Sequence, residues 1–365
     1  MKFIKNAFYI LVFMGLFMFM AGCGDDNSGA QDTSTSDTNN SDTNNSETED
    51  EVDEEAGNNA AGPGETYSFK LAHITPTNHM WHLAAERFGE ELDERSGGRM
   101  SLEIYPASQL GTEADMVEQI IQGSVDFGLI TSAYLSSRST AFSAWFMPYA
   151  FDSLEEVHEA RTSDVSKEIL GTLEEQGLLG LDYLFAGMRV MLFKDVEVQS
   201  PEDMEGLQLR VTPSPPMQDF YHSTGASTEG LPLPEVYAAV QTGVIDGMDM
   251  DLDATITNNY SEVVDHAAVT NHMVWPSVAV VNKEVFEDMP EEDQQIIRDA
   301  LAAAADYAVT ERSAQEEEFK QQLADEGMNV YELDRSVFTE QIEMFDEKYR
   351  ELDPLIAEFI DQYRN

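Results

Sequence analysis

The stretch that decides the fold reads EVYAAVQTGVIDG and covers residues 235–247. Its spacing predicts a helix that starts near Pro234 and ends at Gly243, where a glycine suits the positive φ of a helix end. The residues VID (244–246) follow that helix. A matching run, GSVD (123–126), follows an earlier predicted helix in the same way. This repetition, together with the same order of elements around it, predicts two similar α/β lobes.

The first lobe is predicted from alternating strands and helices. Alternation of apolar residues indicates strands at 67–72, 100–105 and 125–130. A helix with apolar residues at spacing four joins the first two strands and ends at Gly97-Gly98. A second helix starts at Thr112, with Asp115 as its capping-box partner. This β-α-β-α-β order predicts parallel strands.

The second lobe repeats the pattern, and helices follow it. Residues 200–203 open a short helix, 207–211 read as a strand, and 217–223 are helical. A further helix is predicted from Pro290, and another over 336–363 with a break near Pro354. Two α/β lobes bind ligands in the cleft beyond the carboxyl ends of their strands, and they can close by hinge motion.

The N-terminus has the features of a secretory signal, predicted to cover residues 1–22. Two lysines precede an apolar run from Ala7 to Met20, which is shorter than the roughly 20 residues of a membrane-spanning helix. Small residues follow, and then the only cysteine, Cys23. This ending resembles the lipobox of bacterial lipoproteins, which implies acylation of Cys23 and anchoring to the outer face of the cell membrane. A signal peptide with a chance cysteine is the alternative.

Residues 23–64 are expected to form a disordered acidic tether after the lipidated cysteine. Asp, Ser, Thr and Asn repeats fill this segment, with an acidic run from Glu47 to Glu55. Such a composition has too few apolar residues to offset the entropy cost of ordering the chain. The remaining residues, 65–365, are long enough for two lobes with their own cores.

The balance of acidic and basic residues limits the classes of partner that the chain can bind. The chain has 70 acidic and 20 basic side chains, a formal net charge of −50. Nucleic-acid binding is not expected, because it relies on clustered Lys and Arg. Docking to anionic lipid is disfavoured for the same reason. An acidic excess of this size suggests a salty habitat, where screening reduces the repulsion.

From residue 67 to the last helix the sequence resembles the solute-binding proteins of TRAP (tripartite ATP-independent periplasmic) transporters, the DctP-like family. The resemblance implies an α/β, two-lobed periplasmic-binding-protein-like fold with a hinge and long bracing C-terminal helices. It also implies capture of a small organic acid for delivery to a membrane permease. The matching runs are LAH (71–73), AAERF (84–88), SQLG (108–111), FMPYAF (146–151), PEDMEGLQLRV (201–211) and the opening stretch 235–247.

Two arginines are the leading ligand-binding candidates. The resemblance implies that Arg210, at a strand end, holds the carboxylate of the ligand. A guanidinium suits this role because its planar fork makes two parallel, charge-assisted hydrogen bonds to a carboxylate. A surface ion pair with nearby acids is the alternative for Arg210. Arg189 matches a second family arginine and is expected to add a second cation.

The run MDMDLD (248–253) departs from the Gln-Glu-Asn-Pro of many relatives. Asp249 stands at the Glu position and Met250 at the Asn position, which leaves the identity of the ligand open. Asp251 is a candidate partner for a ligand amine or hydroxyl. The alternating acids could also bind a hard cation through their oxygens or point to solvent from a strand end.

Three further residues are candidates for the ligand pocket. Trp275 lies where aromatic residues shape the pocket of relatives, although a core tryptophan fits as well. Thr131 and His73 each follow a predicted strand and are expected to face the cleft. A zinc site is not predicted, because the nearby histidines are spread over a strand, a loop and a helix start, and no cysteine assists. No metal or cofactor is expected.

The sequence offers less support for functions other than ligand binding. The sequence has no Gly-x-Ser-x-Gly, His-Glu-x-x-His or Gly-x-x-x-x-Gly-Lys motif, so an enzyme is not predicted. A secreted enzyme remains a lesser alternative. A ligand-binding subunit of a membrane sensor, instead of a permease, is the other, because the same cleft serves both.

Overall fold

The computed structural model describes residues 64–364. The predicted signal segment, Cys23 and the predicted tether up to residue 63 lie outside the described residues, as does Asn365. Within residues 64–364, none of the helices is both long enough and apolar enough to cross a membrane.

Strands and helices alternate along most of the described chain. The strands are β1 (Tyr67–Ala72), β2 (Met100–Tyr105), β3 (Phe127–Thr131), β4 (Leu178–Phe193), β5 (Gln208–Val211), β6 (Ser227–Gly230), β7 (Gly247–Asp251), β8 (His266–Val269), β9 (Val274–Asn282) and β10 (Asn329–Glu332). The helices are α1 (Met80–Ser96), α2 (Glu113–Ile121), α3 (Ser132–Leu135), α4 (Leu154–Ala160), α5 (Asp164–Gly171), α6 (Pro215–His222), α7 (Leu233–Gln241), α8 (Leu252–Thr257), α9 (Lys283–Glu287), α10 (Glu291–Asp325), α11 (Thr339–Arg350) and α12 (Pro354–Tyr363). Short 3-10 segments include Thr140–Phe146 and Pro201–Met204.

The first lobe contains the predicted β-α-β-α-β unit. Strand β1 lies between β2 and β3 and is parallel to both. Helix α1 ends at Gly97 with φ 65°, and α2 begins with the predicted capping box of Thr112 and Asp115. The third strand starts at Phe127, two residues later than predicted. Val125 and Asp126 instead form the turn between α2 and the strand.

The second lobe repeats this unit with β5 between β6 and β7, again in parallel. The two lobes also share a pair of hydrogen bonds made by equivalent aspartates. The Asp126 amide donates to the Lys70 carbonyl at 3.1 Å, and its Oδ2 accepts from the Lys70 amide at 2.7 Å. Asp246 makes the same two bonds with Gln208, both at 2.8 Å. Gly123 and Gly243, three residues earlier, have φ of 71° and 72°. The predicted internal similarity of the lobes is confirmed.

Two long antiparallel strands join the lobes into one sheet. Its order is β2-β1-β3-β9-β4-β7-β5-β6, with β8 beside β4 and β10 beside β8. Residues 178–188 of β4 pair with β9 next to the first lobe, and residues 189–193 pair with β7 of the second. The register shifts between Phe185 and Met188, where Gly187 has φ 152°. One strand therefore runs through both lobes, with an irregularity where it passes between them.

The C-terminal helices brace the lobes. Helix α10 spans 35 residues and packs on α1 in the first lobe, on β4, and on α8 and β10 in the second. Its Arg312 is fully buried, and the Nε of that side chain donates to the Ala186 carbonyl at 3.0 Å, next to the irregularity in β4. The predicted helix over 336–363 is two helices, α11 and α12, and the second begins at Pro354 as expected.

Candidate functional site

A cavity of about 500 Å³, hereafter the cleft cavity, opens between the lobes at the carboxyl ends of the parallel strands. The first lobe lines it with Ile74, Ser108, Gly111, Thr112, Glu113, Ala114, Asp115 and Tyr134. The second lobe lines it with Arg210, Thr212, Pro213, Pro232, Leu233, Pro234 and Glu235. The surface that these residues expose to the cavity is largely apolar, as is typical of small-molecule sites.

A second depression of about 520 Å³ lies on the surface around Tyr149 and the C-terminal helix. Its lining arginine Arg364 is already paired with Asp346 at 2.7 Å. The other, Arg335, is half exposed. The cleft cavity is the better candidate site because two lobes contribute to it and it holds a buried cation.

That cation is Arg210, on β5, with only 2% of its surface exposed. Its Nε and Nη2 donate to the Leu231 carbonyl at 3.0 and 2.9 Å, and its Nη1 lies 3.5 Å from the Asp249 carbonyl. Burial lowers the pKa of Arg210 to about 10, so it stays charged at neutral pH. The carbonyl of Leu231 occupies one edge of the guanidinium. The Nη1–Nη2 edge remains as a two-donor fork for an anion.

Glu113 lines the same cavity and was not among the sequence-predicted site residues. Its Oε1 accepts from the Thr131 amide at 2.6 Å, and its Oε2 accepts from the Thr131 hydroxyl at 3.1 Å. Burial raises the pKa of Glu113 to about 7, against the opposing effects of those bonds and of Arg210. The one sequence feature that could have identified Glu113 is its position directly after Thr112, the predicted cap of the helix.

Arg189 lies outside the cavity lining, in a buried ionic cluster. Its Nε and Nη2 contact Oδ1 of Asp249, and its Nη1 lies 3.2 Å from Oδ2 of Asp251. All three side chains are buried. The guanidinium also lies over the ring of Trp275, 4.0 Å from its centroid, which is a cation–π contact.

Asp249 has further partners that the sequence did not suggest. The Tyr221 hydroxyl donates to its Oδ2 at 2.7 Å, and Nε2 of His272 lies 2.9 Å from the same oxygen. Burial by itself raises the pKa of the Asp249 carboxyl, but Arg189 and His272 outweigh it and hold that pKa below its ordinary value. Asp249 is therefore ionised at neutral pH. These partners lie 28 and 23 residues away along the chain, so no local sequence motif predicts these contacts.

The expectation that alternate acids of residues 248–253 point to solvent is wrong. Asp249 and Asp251 are fully buried, and Asp253 is 3% exposed. Asp251 also caps α8 by accepting from the Ala254 amide at 2.8 Å. Within residues 64–364, no group of three or more His, Cys, Asp or Glu side chains is placed to hold a metal ion.

The remaining candidates are buried and do not line the cleft cavity. Thr131 is buried and holds Glu113, while its hydroxyl caps α3 through the Tyr134 amide at 3.0 Å. His73 is buried, with Nε2 3.0 Å from Nδ1 of His82. Burial and the neighbouring His82 lower the pKa of His73 to about 3, which keeps it neutral. Trp275 is 5% exposed and stacks on Trp81. The structure thus places Arg210 alone, among the predicted ligand-binding residues, in the cavity lining.

Comparisons with known proteins agree with this architecture. The family model for bacterial extracellular solute-binding protein, family 7, matches residues 71–353. A solute-binding protein of Roseobacter denitrificans is 28% identical over 283 residues, covering 77% of this chain and 86% of that protein. Its crystal structure with bound L-galactonate aligns at 26% identity and a TM-score of 0.75, over 81% of this chain and 99% of that one. A TRAP periplasmic solute-binding protein of Sulfitobacter sp. NAS-14.1 with bound β-D-galacturonate aligns at 25% identity and a TM-score of 0.76, over 82% of this chain and 100% of that one.

Proposed function

The chain belongs to the bacterial extracellular solute-binding proteins of family 7, and from that premise we propose that it captures a small organic acid for a TRAP-type permease. The observation that carries this proposal is the buried guanidinium of Arg210, which lines a cavity between two lobes and has one edge occupied by the Leu231 carbonyl. A protein of this family binds its solute and releases it unchanged, so the chain is not an enzyme.

The proposed binding step follows from the geometry of Arg210. A ligand carboxylate accepts two parallel hydrogen bonds from the Nη1–Nη2 edge, while Leu231 fixes the other edge and so orients the fork. Closure of the lobes excludes water from the cavity. A lower local dielectric then strengthens the charged bonds. The net charge of −50 opposes an anion only weakly, because salt screens distant surface acids more than a buried contact.

The ligand class is supported by what similar proteins hold. The relatives compared above carry L-galactonate and β-D-galacturonate, which are both organic acids. The cleft cavity of this chain, at about 500 Å³, has room for a ligand of that size. Apolar residues such as Ile74 and Leu233 would contact the carbon skeleton of the ligand.

We also propose that Cys23 carries a lipid and anchors the protein to the outer face of the cell membrane. The support is the signal-like segment before Cys23 and the small residues at 21 and 22. The acidic residues 24–64 would then act as a flexible tether of about forty residues between the anchor and the binding domain. Such a tether keeps the binding domain close to its permease.

The test of the proposed function has two parts. The first is calorimetric titration of the purified protein with a panel of organic acids, together with mass spectrometry of any ligand retained through a gentle purification. Binding of none of the acids, and no retained acid, would contradict the proposal. The second is uptake of the bound acid by cells with and without the permease. Uptake that is unchanged without the permease would favour the alternative role as the ligand-binding subunit of a sensor.

A further inference from the structure

The chain crosses between the lobes in β4 and again in the connection from β8 to β9, and both crossings contain irregular backbone. In β4 the register shifts around Gly187, which has φ 152°. In the second crossing Asn271 has φ 48°. The two crossings are bonded beside these residues, because the Arg189 amide donates to the Met273 carbonyl at 2.7 Å. Irregular backbone at the boundary of two lobes can absorb a rotation between them.

The bracing helix α10 passes the same boundary, and its Arg312 contacts the irregular part of β4. The side chain is fully buried, and its Nε donates to the Ala186 carbonyl at 3.0 Å. A Cβ atom at Gly187 would lie 3.4 Å from the same Nε. Within residues 64–364 neither Nη1 nor Nη2 has a hydrogen-bond partner, although Nη2 lies 3.1 Å from Oε2 of Glu316 in the same helix. The bond to Ala186 is therefore the one hydrogen bond that fixes this guanidinium to β4.

The lobes contact each other on the cleft side of the sheet. The Met80 amide, at the start of α1, donates to Oδ2 of Asp253, in the first turn of α8, at 2.7 Å. The hydroxyls of Ser136, after α3, and Ser214, before α6, are 2.9 Å apart. Each of these four helices follows the carboxyl end of a parallel strand, so opening of the cleft would separate both pairs. The lobe arrangement is therefore a closed one.

We infer that lobe closure pivots at Gly187, and that Arg312 stabilises the closed arrangement by fixing the carbonyl of Ala186. Arg312 does not line the cleft cavity, so it is a positioning residue that acts through the lobes and not through the ligand. The populations of the open and closed arrangements determine the apparent affinity, so loss of this bond weakens binding without removing a ligand contact. The inference goes beyond the proposed function, because the lobe motion does not depend on which solute is bound.

The first test measures the lobe arrangement of the full-length chain without ligand. Spin labels are placed at Ser124→Cys and Val244→Cys, in exposed and equivalent turns of the two lobes, with Cys23→Ser to leave no other cysteine. Arg312→Met removes the donors, and replacing a buried charge with an apolar residue of similar size need not destabilise the fold. We expect the ratio of open to closed molecules to rise about tenfold, as follows from losing one hydrogen bond to a charged group.

The matched control is Arg298→Met, at an exposed position of the same helix. Arg298 lies over the Phe286 ring at 5.0 Å, as Arg312 lies over the Phe319 ring at 4.7 Å. The control should have the same distance distribution as the labelled parent chain. Gly187→Ala adds a Cβ beside Arg312 at a φ that alanine rarely adopts, so it should also favour the open arrangement. An unchanged distribution in Arg312→Met overturns the inference, and if that variant does not fold, Gly187→Ala decides in the same way.

The second test measures the kinetics of an acid that binds the wild type. Dissociation from Arg312→Met should be about tenfold faster, while the association rate should change by less than about twofold, because the ligand contacts are intact. An equal dissociation rate in Arg312→Met and the wild type overturns the role of Arg312 in ligand release. If no acid binds the wild type, the proposed function fails, and the distance measurement still decides the inference.

Discussion

The guanidinium of Arg210 donates two hydrogen bonds to one oxygen, the carbonyl of Leu231, from Nε at 3.0 Å and Nη2 at 2.9 Å. This arrangement fixes the plane of the guanidinium before any ligand arrives. Leu231 stands 21 residues after Arg210, just before α7. The bond therefore ties the candidate anion-binding group to the wall of its own cavity. Such preorganisation reduces the entropy cost of binding.

Arg210→Ala should weaken ligand binding by about 2–5 kcal/mol, because a buried charged partner of the carboxylate is lost. Arg210→Lys should also weaken it, since one ammonium cannot bond Leu231 and form a two-donor fork for the ligand. Calorimetry with the ligand retained in purification measures both. Arg350→Ala, at an exposed ion pair with Asp361 on the C-terminal helices, is the control and should bind normally. Near-normal affinity of Arg210→Ala would rule out Arg210 as the anchor.

Ligand affinity should fall as the pH rises from about 6 to about 8. The reason is the pKa of Glu113, which burial raises to about 7. Below that pKa the carboxyl is neutral, and above it the carboxylate repels a ligand carboxylate held at Arg210. Glu113→Gln is neutral at every pH and should show a flatter profile over the same range. An affinity that rises with pH in the wild type, or the same slope in Glu113→Gln, would contradict this role.

Asp126→Ala and Asp246→Ala should each lower the free energy of unfolding by about 1 kcal/mol. Each aspartate accepts a hydrogen bond from an amide on the first strand of its lobe, Lys70 or Gln208. Asparagine keeps an acceptor oxygen, so Asp126→Asn and Asp246→Asn should cost less. Urea unfolding measures all four variants. An equal loss with Asn and with Ala would show that the charge of the aspartate matters more than its acceptor oxygen, and no loss with Ala would contradict the prediction.

Cys23→Ser should release the protein from the membrane fraction. The thiol is the proposed site of acylation, and a serine hydroxyl does not replace it. The measurement is fractionation of cells followed by detection of the protein in membranes and in detergent-free supernatant. A variant that still fractionates with membranes would contradict the lipid anchor. Ligand binding by the purified variant should be unchanged, because residue 23 precedes the cleft residues by more than forty positions.

The midpoint of thermal unfolding should rise with NaCl. With 70 acidic and 20 basic side chains, the folded chain is destabilised by repulsion between like charges. Salt shortens the Debye length from about 10 Å at 0.1 M to about 3 Å at 1 M, which screens that repulsion. KCl should act in the same way as NaCl. A midpoint that is flat or falls with salt would count against adaptation to a salty habitat.

The elements that the sequence predicted well are those with a local signal. The capping box of Thr112 and Asp115, the end of α1 at Gly97 and the start of α12 at Pro354 are all confirmed. Each depends on neighbours within a few residues. The long strands β4 and β9 were not predicted, because buried strands with continuous apolar runs lack the alternation that marks an exposed strand.

The residues of the candidate site also differ in how well the sequence predicted them. The family resemblance implied that Arg210 lies in the cleft, and the structure has it in the cavity lining. The surroundings of Arg189 were not predicted. Its contacts with Asp249 and Asp251 span 60 and 62 residues and depend on the register between β4 and β7. A shift of one residue in that register would move the arginine to the other face of the sheet.

The sequence by itself determined the two similar lobes, the helix ends and the presence of an arginine at the end of β5, because periodicity, capping and positive-φ glycines act over short distances. Only the tertiary structure decided which charges meet. The pairing of β4 with β7 buries Arg189 against two aspartates, and the approach of α2 to β3 places Glu113 in the cavity opposite Arg210. Those pairings join residues far apart in the chain, so they are set by the packing of the whole sheet.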